Sequence, residues 1–379
     1  MNSVISFILG AVAGFIANKV LEGIERFIKD TLENRRVRKE IKLMNEITEE
    51  KLNVISIANG HPYYEKQNMN ISVIDKKLYI GFPKELIDKL DEGKIHSFHD
   101  NCSFNGKNTF EDIVKETGIK NLTELIEKHR KIVAQQFINK ENGCYFNGEK
   151  YGVYEINPFE RTIDEKEEAK LEIVLYTTDY FTHKVFKSIY KEIKDTDPIG
   201  KTRIKDLKRY RAFTTSFGIN GIVGVKSKED NKSIILTKRS CNATDTNNME
   251  LCSVSVIEGL TKTDYDTYNK KVDLYQGFKR GLTEELGINE NMYSDDNIKF
   301  YDLFLELNKY ELGITCYVNL DDKYIFEKDI QHLYAKDNTL EVAEKFVSSL
   351  NKKSINKLID NNEFNKQSLY TIKSILARI

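Results

Sequence analysis

The segment RGLTEELGI, residues 280–288, constrains the fold more than any other part of the sequence. It ends a helical pattern that starts near Leu274, and Gly287 stands where helices commonly terminate. Helical patterns also close the chain from about residue 338 onward. Runs typical of strands flank the acidic helix, at residues 213–225, 233–240 and 250–260 before it and at 298–307 and 312–320 after it. This order predicts an α+β domain in which an acidic helix lies between strands.

Two adjacent carboxylates near the end of this helix resemble part of the signature of the Nudix family. That signature reads G-x5-E-x7-R-E-U-x-E-E-x-G-U, where U is an aliphatic residue. The residues of this chain that match it are Arg280, Leu282, Glu284, Glu285, Gly287 and Ile288. The resemblance implies a Nudix-like α/β/α sandwich over residues 205–350, with a nucleotide pocket. The alternative is an ordinary helix with solvated glutamates and a glycine at its C-cap.

The sequence departs from the signature at Gly281, where the family has a third glutamate. Positions 281, 284 and 285 share one helix face, because they are related by i, i+3 and i+4. Three carboxylates there would bind Mg²⁺, which prefers oxygen ligands. The upstream half departs as well, since strict spacing puts Asp266 and Val272 at the signature Gly and Glu. We expect a nucleotide pocket without hydrolysis and without a cofactor. Only an active enzyme would hold Mg²⁺ on Glu284 and Glu285.

Further candidate ligand-binding residues lie on both sides of this helix in the sequence. Lys238 and Arg239 end a strand-like run and could meet phosphates, and Tyr275 could stack on a base. Glu258 precedes Gly259, which restores the signature glycine if residues are inserted after it. The complete set of candidates is Lys238, Arg239, Glu258, Tyr275, Arg280, Glu284 and Glu285. The alternative is that they are solvated surface residues and a core tyrosine.

The N-terminal residues 1–18 carry no charged side chain, and at about 1.5 Å per residue they approach the ~30 Å of a bilayer core. We predict a transmembrane helix over 1–20 and an amphipathic stalk helix over 21–48. The basic residues that follow predict a single-pass protein of the cell membrane with cytoplasmic C-terminal domains. Gly10 and Gly14 form a face suited to helix packing in lipid. A signal peptide and a buried core helix are the alternatives.

The remaining segments and the composition complete the predicted organisation. Residues 49–197 read as an α/β middle domain of unknown role, and residues 351–379 as a helical tail. The 58 basic and 59 acidic residues give a net charge of −1, so we expect no direct binding of DNA or RNA. The predicted fold class is α+β, with an N-terminal transmembrane helix and stalk, a mixed α/β middle region and a C-terminal Nudix-like sandwich.

The predicted membrane helix and nucleotide pocket together resemble the membrane-anchored effectors of bacterial CBASS antiphage systems. That resemblance implies three partners: a cyclic or other nucleotide, a lipid bilayer and further copies of this chain. Nucleotide binding would then drive oligomerisation and membrane disruption in antiviral defence. One alternative is a membrane-tethered, metal-dependent Nudix hydrolase of nucleoside diphosphate derivatives. Another is an interaction module that binds no small ligand.

Overall fold

The computed structural model describes most of the chain from residue 52 onward. The described residues are 52–87, 106–141, 144, 146–159, 169–229, 232–240, 251–336, 342–361 and 363–379. The predicted transmembrane helix over 1–20, with Gly10 and Gly14, lies outside them, as does the predicted stalk over 21–48.

The described chain contains thirteen strands and seven α-helices. The strands are β1 (Val54–Tyr64), β2 (Met69–Leu78), β3 (Glu149–Phe159), β4 (Lys170–Asp179), β5 (Phe217–Lys226), β6 (Lys232–Arg239), β7 (Cys252–Val254), β8 (Val256–Gly259), β9 (Tyr265–Asp266), β10 (Lys271–Val272), β11 (Lys299–Glu306), β12 (Glu311–Asn319) and β13 (Val342–Ser349). The helices are α1 (Lys84–Ile87), α2 (Ile113–Thr117), α3 (Leu122–Asn139), α4 (Tyr180–Ile193), α5 (Leu274–Gly281), α6 (Lys352–Asn361) and α7 (Lys366–Leu376).

These strands form two mixed sheets. The first has the order β1-β11-β12-β5-β6-β13, with β8 paired to β5 and β7 to β6. Its central pair, β12 and β5, runs parallel from Leu312↔Phe217 to Asn319↔Gly224. The second sheet has the order β3-β4-β2-β10-β9. Both sheets combine strands from the predicted middle and C-terminal domains, because β1 pairs with β11 and β10 pairs with β2.

Strand β5 separates two layers of the core, because successive side chains of a strand point to opposite faces. Ile219 and Val223 join the main core cluster, which also holds Phe278 of α5. Ile222 joins a second cluster that includes Ile372 and other residues of α7. The first sheet therefore has α5 on one face and α7 on the other.

No helix among the described residues is both long enough and apolar enough to cross a bilayer. The longest, α3, has 18 residues, but it carries Glu124, Glu127, Lys128, Arg130 and Lys131. We correct the predicted fold class and the predicted single-pass location in the cell membrane accordingly: the structure shows no membrane-spanning helix in the residues that it describes. The described chain is instead a fold of mixed sheets with helices packed on them.

The structure also corrects the reading of residues 342–349, which the sequence pattern assigned to the closing helices. They form β13, which pairs antiparallel with β6 from Val342↔Arg239 to Ser349↔Ser233. Pairing with β6 gives the backbone N–H and C=O groups of this segment their hydrogen-bond partners. The prediction of helix from residue 338 was therefore wrong for this stretch, and helices α6 and α7 follow it.

Candidate functional site

The acidic segment continues α5 into a wider, π-type turn that ends at a glycine. Asp273 caps the start of α5, because its side chain accepts a hydrogen bond from the Tyr275 amide at 2.8 Å. The turn covers Leu282–Leu286, and Gly287 follows with a φ of 74°. Such a φ favours glycine. A Cβ on Gly287 would also lie 2.4 Å from the carbonyl oxygen of Tyr334. The turn is therefore held in one conformation, with both glutamates on it.

The two glutamates have different surroundings. Glu285 is buried, and its Oε1 accepts a hydrogen bond from the backbone N–H of Ile257 in β8 at 3.0 Å. Glu284 is a quarter exposed and lies between two cations. Its Oε2 is 3.4 Å from Arg280 and its Oε1 is 3.1 Å from Lys336. Glu285 therefore ties the turn to β8, whereas Glu284 remains near solvent.

Arg280 joins α5 to β8 and to the loop that follows β8. Its guanidinium lies 2.8 Å from Glu258 and 2.9 Å from the buried carboxylate of Asp264. Its Nη2 also donates to the carbonyl oxygen of Gly259 at 3.0 Å. Although burial alone would lower the pKa of Arg280, the hydrogen bond to Asp264 and the charge of Glu258 raise it. Arg280 is therefore a cation held by carboxylates of its own chain, and it does not line the cavity described next.

A cavity of about 370 Å³ opens beside the acidic turn. This volume is within the range of small-molecule sites, roughly 300–1,000 Å³. Its lining residues come from β3, β5, β6, β8, β12, α4, α7 and the segments between them. They are Lys150, Tyr180, His183, Ser216, Gly218, Asn220, Arg239, Ile257, Glu258, Gly259, Thr261, Glu284, Glu285, Glu311, Leu312 and Gln367.

The cavity unites four of the candidates predicted from the sequence, namely Arg239, Glu258, Glu284 and Glu285. Lys238 does not line the cavity. Neighbouring residues of a strand point to opposite faces of the sheet, so Arg239 points to the cavity and Lys238 points away from it. Tyr275 is also elsewhere. It is buried, packs edge to face on Phe300 at 5.2 Å, and lines a second cavity of about 290 Å³.

The other wall of the cavity comes from residues that sequence reasoning missed. Glu311 is paired with Lys187 at 2.8 Å and accepts a hydrogen bond from Gln367 at 3.0 Å. His183 lies 3.9 Å from the same carboxylate, and its Nδ1 is 3.0 Å from the Thr215 hydroxyl. Lys150 lines the cavity together with Glu311, His183 and Gln367, whereas Lys187 and Thr215 are not among the lining residues.

Burial and neighbouring charges shift the pKa values of this wall. Burial lowers the pKa of Lys150 to about 8, with the nearby Lys187 adding to the shift and Glu311 opposing it. Burial and the charge of Lys150 hold the pKa of His183 well below its usual value. Although burial opposes it, the charge of Lys187 holds the pKa of Glu311 well below its usual range. At neutral pH the wall therefore holds a charged lysine, a neutral histidine and an ionised glutamate.

Lys150 is the cation of this wall that no carboxylate neutralises directly. Lys187 is paired with Glu311. Lys150 forms no ion pair with any residue that the structure describes, and its ammonium lies 5.5 Å from the centre of the Tyr180 ring. No motif marks Lys150 in the sequence. It reaches the cavity because β3 forms an isolated antiparallel bridge there, between Lys150 and Thr261.

The floor of the cavity is formed by two glycines that are cross-strand neighbours, Gly218 in β5 and Gly259 in β8. A Cβ on Gly218 would meet only the carbonyl oxygen of Glu258, at 3.4 Å, and one on Gly259 would meet nothing within 4 Å. Asn220 lies two residues beyond Gly218 on the same face of β5. It is 1% exposed, and its Oδ1 is buried without a hydrogen-bond partner. Such an orphaned group costs about 1–3 kcal/mol.

The carboxylates of the cavity do not fit the metal site that the Nudix signature implies. Glu258 and Glu284 both lie against the Arg280 guanidinium, and Glu285 accepts from the Ile257 amide. A side chain at Gly281 would collide with Val256. No group of three or more His, Cys, Asp or Glu residues in the described ranges is placed to hold a metal ion. Mg²⁺ needs several oxygen ligands in near-octahedral geometry, and this arrangement does not offer them.

No family model matches the chain, and no curated protein matches it. The solved structures that match it include Nudix proteins. The Nudix domain of NrtR from Shewanella oneidensis, crystallised with ADP ribose, is 12% identical, with a TM-score of 0.28 over 47% of this chain and 98% of that one.

Two further Nudix structures match at similar levels. A MutT/nudix protein from Enterococcus faecalis is 12% identical, with a TM-score of 0.25 over 43% of this chain and 56% of that one. A mutT/nudix protein from Listeria innocua is 12% identical, with a TM-score of 0.27 over 43% of this chain and 92% of that one.

Proposed function

We propose that the cavity beside the acidic turn binds a phosphorylated nucleotide derivative and does not hydrolyse it. The observation that carries this proposal is the placement of Lys150 and Arg239 in one cavity with Glu284 and Glu285. Phosphate groups are bound by lysine and arginine. Carboxylates accept hydrogen bonds, so they suit the hydroxyl and amino groups of a nucleoside.

The charges of the cavity support an anionic ligand at its Lys150 end. Glu311 is neutralised by Lys187 at 2.8 Å, and Glu258 and Glu284 lie against Arg280. Lys150, by contrast, forms no ion pair with a described residue. An ammonium in a partly enclosed site binds an anion more strongly than one in water, because the effective dielectric is lower.

Calorimetric titration of the full chain in EDTA tests this proposal, with AMP, ADP, ADP-ribose and a cyclic dinucleotide as probes. We expect at least one probe to bind, and Lys150→Met to weaken it roughly tenfold or more, as loss of a charged hydrogen bond does. The control is Lys208→Met, because Lys208 is exposed and does not line the cavity. The proposal fails if no probe binds, or if Lys150→Met and Lys208→Met bind equally well.

The second candidate function is a metal-dependent hydrolase of nucleoside diphosphate derivatives, with Mg²⁺ on Glu284 and Glu285. One observation favours it: Cβ of Glu258 lies 3.0 Å from the place where a Cβ on Gly281 would be, so Glu258 brings a carboxylate near the missing one. Formation of AMP and ribose 5-phosphate from ADP-ribose with Mg²⁺ or Mn²⁺ separates the two functions. Metal-dependent turnover that is lost in Glu285→Gln and in Glu258→Gln establishes the enzyme and rejects binding without hydrolysis.

The sensor role in a CBASS-like defence system and the self-association on ligand binding stay predictions from the sequence. Sedimentation velocity of the full chain tests the second of them, with and without the probe that binds in calorimetry. A sedimentation coefficient that the probe leaves unchanged contradicts ligand-driven assembly, whereas nucleotide binding itself stands independently of that result.

A further inference from the structure

Asn220 has the properties of a residue that recognises a ligand by hydrogen bonding. It lines the cavity, it is 1% exposed, and its Oδ1 is buried without a hydrogen-bond partner among the residues that the structure describes. Buried polar groups in folded proteins are almost always paired. An amide oxygen left without a donor at the wall of a cavity therefore indicates that the donor is a group of the ligand.

The space around Asn220 is kept open by glycines. Asn220 Nδ2 would lie 2.7 Å from a Cβ on Gly313, so Gly313 leaves room for the amide. Gly218 and Gly259 leave the backbone of β5 and β8 bare on the cavity side. A glycine within a strand weakens the strand, and such a glycine often marks a place where a ligand comes close to the backbone. A flat group can therefore lie on this floor.

We propose that Asn220 recognises the base of the bound nucleotide, and that this base is a purine with an amino group beside a ring nitrogen, as in adenine. The inference rests on the proposed function, since it concerns the same cavity. The side-chain amide of asparagine offers one acceptor and one donor side by side. Adenine presents the complementary pair, so Oδ1 accepts from the amino group while Nδ2 donates to the ring nitrogen.

A comparison of two probes in calorimetry tests this inference. The probes are AMP and purine ribonucleoside 5′-monophosphate, which is AMP without the amino group. We expect the wild-type chain to bind AMP roughly tenfold more tightly than the analogue, as for one hydrogen bond to a buried group. In Asn220→Leu the preference should fall to about one, because the group that distinguishes the probes is gone.

Two further variants separate the base end from the phosphate end. Lys150→Met should weaken both probes alike and keep the preference for AMP. Gly259→Leu should abolish binding of both probes and leave the thermal unfolding temperature unchanged, because its side chain enters open space. If Asn220→Leu does not fold, Asn220→Ala carries the same comparison.

The outcomes distinguish this inference from the proposed function. If the wild-type chain binds AMP and its preference over the analogue persists in the Asn220 variants, the role of Asn220 is rejected and nucleotide binding stands. If the wild-type chain binds both probes equally, recognition of the amino group is likewise rejected. If no nucleotide binds the wild-type chain, the proposed function itself is rejected.

Discussion

A Cβ on Gly281 would lie 2.6 Å from Cγ1 of Val256, closer than two carbon atoms can approach without displacement. Gly281 is the last residue of α5, and Val256 is the first residue of β8. The helix therefore packs on the strand at a distance that only glycine permits. This packing accounts for the absence of a side chain at position 281, where the signature that the sequence resembles has a glutamate.

Gly281→Glu, which restores the signature residue, should destabilise the protein without producing a hydrolase. Overpacking of a well-packed interface costs about 1–3 kcal/mol. Urea unfolding measures the free energy of unfolding, and formation of AMP from ADP-ribose with Mg²⁺ measures activity. Gly259→Ala is the matched control, since its added Cβ meets nothing within 4 Å. Metal-dependent turnover by a Gly281→Glu variant of unchanged stability would contradict this explanation.

Hydrophobic periodicity was enough to predict the acidic helix and the strands around it. The predicted helix over 274–287 is α5 with the turn to Leu286, and the predicted strands over 298–307 and 312–320 are β11 and β12. These elements have strong local patterns. The strand β13 was missed because its residues are only partly buried and alternate weakly. The strand conformation of β13 comes from its pairing with β6, and a local sequence pattern does not predict such pairing.

The candidate site could be predicted only in part, since half of its wall comes from remote segments. Glu284 and Glu285 stand out in the sequence because they belong to a recognisable pattern. Lys150, His183 and Glu311 reach the same cavity only because β3, α4 and β12 are brought together by the two sheets. Single-sequence reasoning does not give strand pairing, so it could not place these side chains beside the acidic turn.

The neighbours Lys238 and Arg239 should differ in their effect on ligand binding, although the sequence made them equivalent candidates. Only Arg239 lines the cavity. Arg239→Met should weaken nucleotide binding roughly tenfold, whereas Lys238→Met should leave it nearly unchanged. Calorimetry with AMP in EDTA measures both. Equal losses in the two variants would show that charge near the strand end, rather than contact in the cavity, attracts the ligand.

The buried ion pair between Arg378 and Asp302 should be essential for stability. Neither side chain has exposed surface, and Nη2 lies 2.6 Å from Oδ1. The same guanidinium donates to Asn59 Oδ1 at 3.0 Å, so it joins the end of α7 to β11 and β1. Asp302→Asn should lower the free energy of unfolding by about 3–5 kcal/mol, because it leaves a buried charge without its partner.

Urea unfolding near neutral pH measures this loss. The control is Lys131→Met, which breaks the exposed pair between Lys131 and Glu85. Pairs of that kind contribute little, because water and salt screen them. A free energy of unfolding in Asp302→Asn that matches the control would show that the pair does not hold α7 on the sheet.

Nucleotide binding should weaken as the pH rises through the pKa of Lys150. Burial lowers that pKa from 10.5 to about 8, so the folded chain loses this proton before the unfolded chain does. The unfolded chain then holds more protons between about pH 8 and about pH 10.5, and stability rises with pH in that window. The affinity for the nucleotide changes with pH in the opposite direction, because a phosphate binds the protonated ammonium more strongly than the neutral amine.

The affinity should therefore be constant below about pH 8 and fall by up to tenfold per pH unit above it. The phosphate does not titrate there, since its second pKa is about 6. His183 does not either, because its pKa lies well below its usual value. Calorimetry between about pH 7 and about pH 10 measures the profile. Lys150→Arg should give a flat profile, because arginine stays charged throughout. Parallel profiles for the two proteins would place the titrating group elsewhere and remove Lys150 from the phosphate end of the cavity.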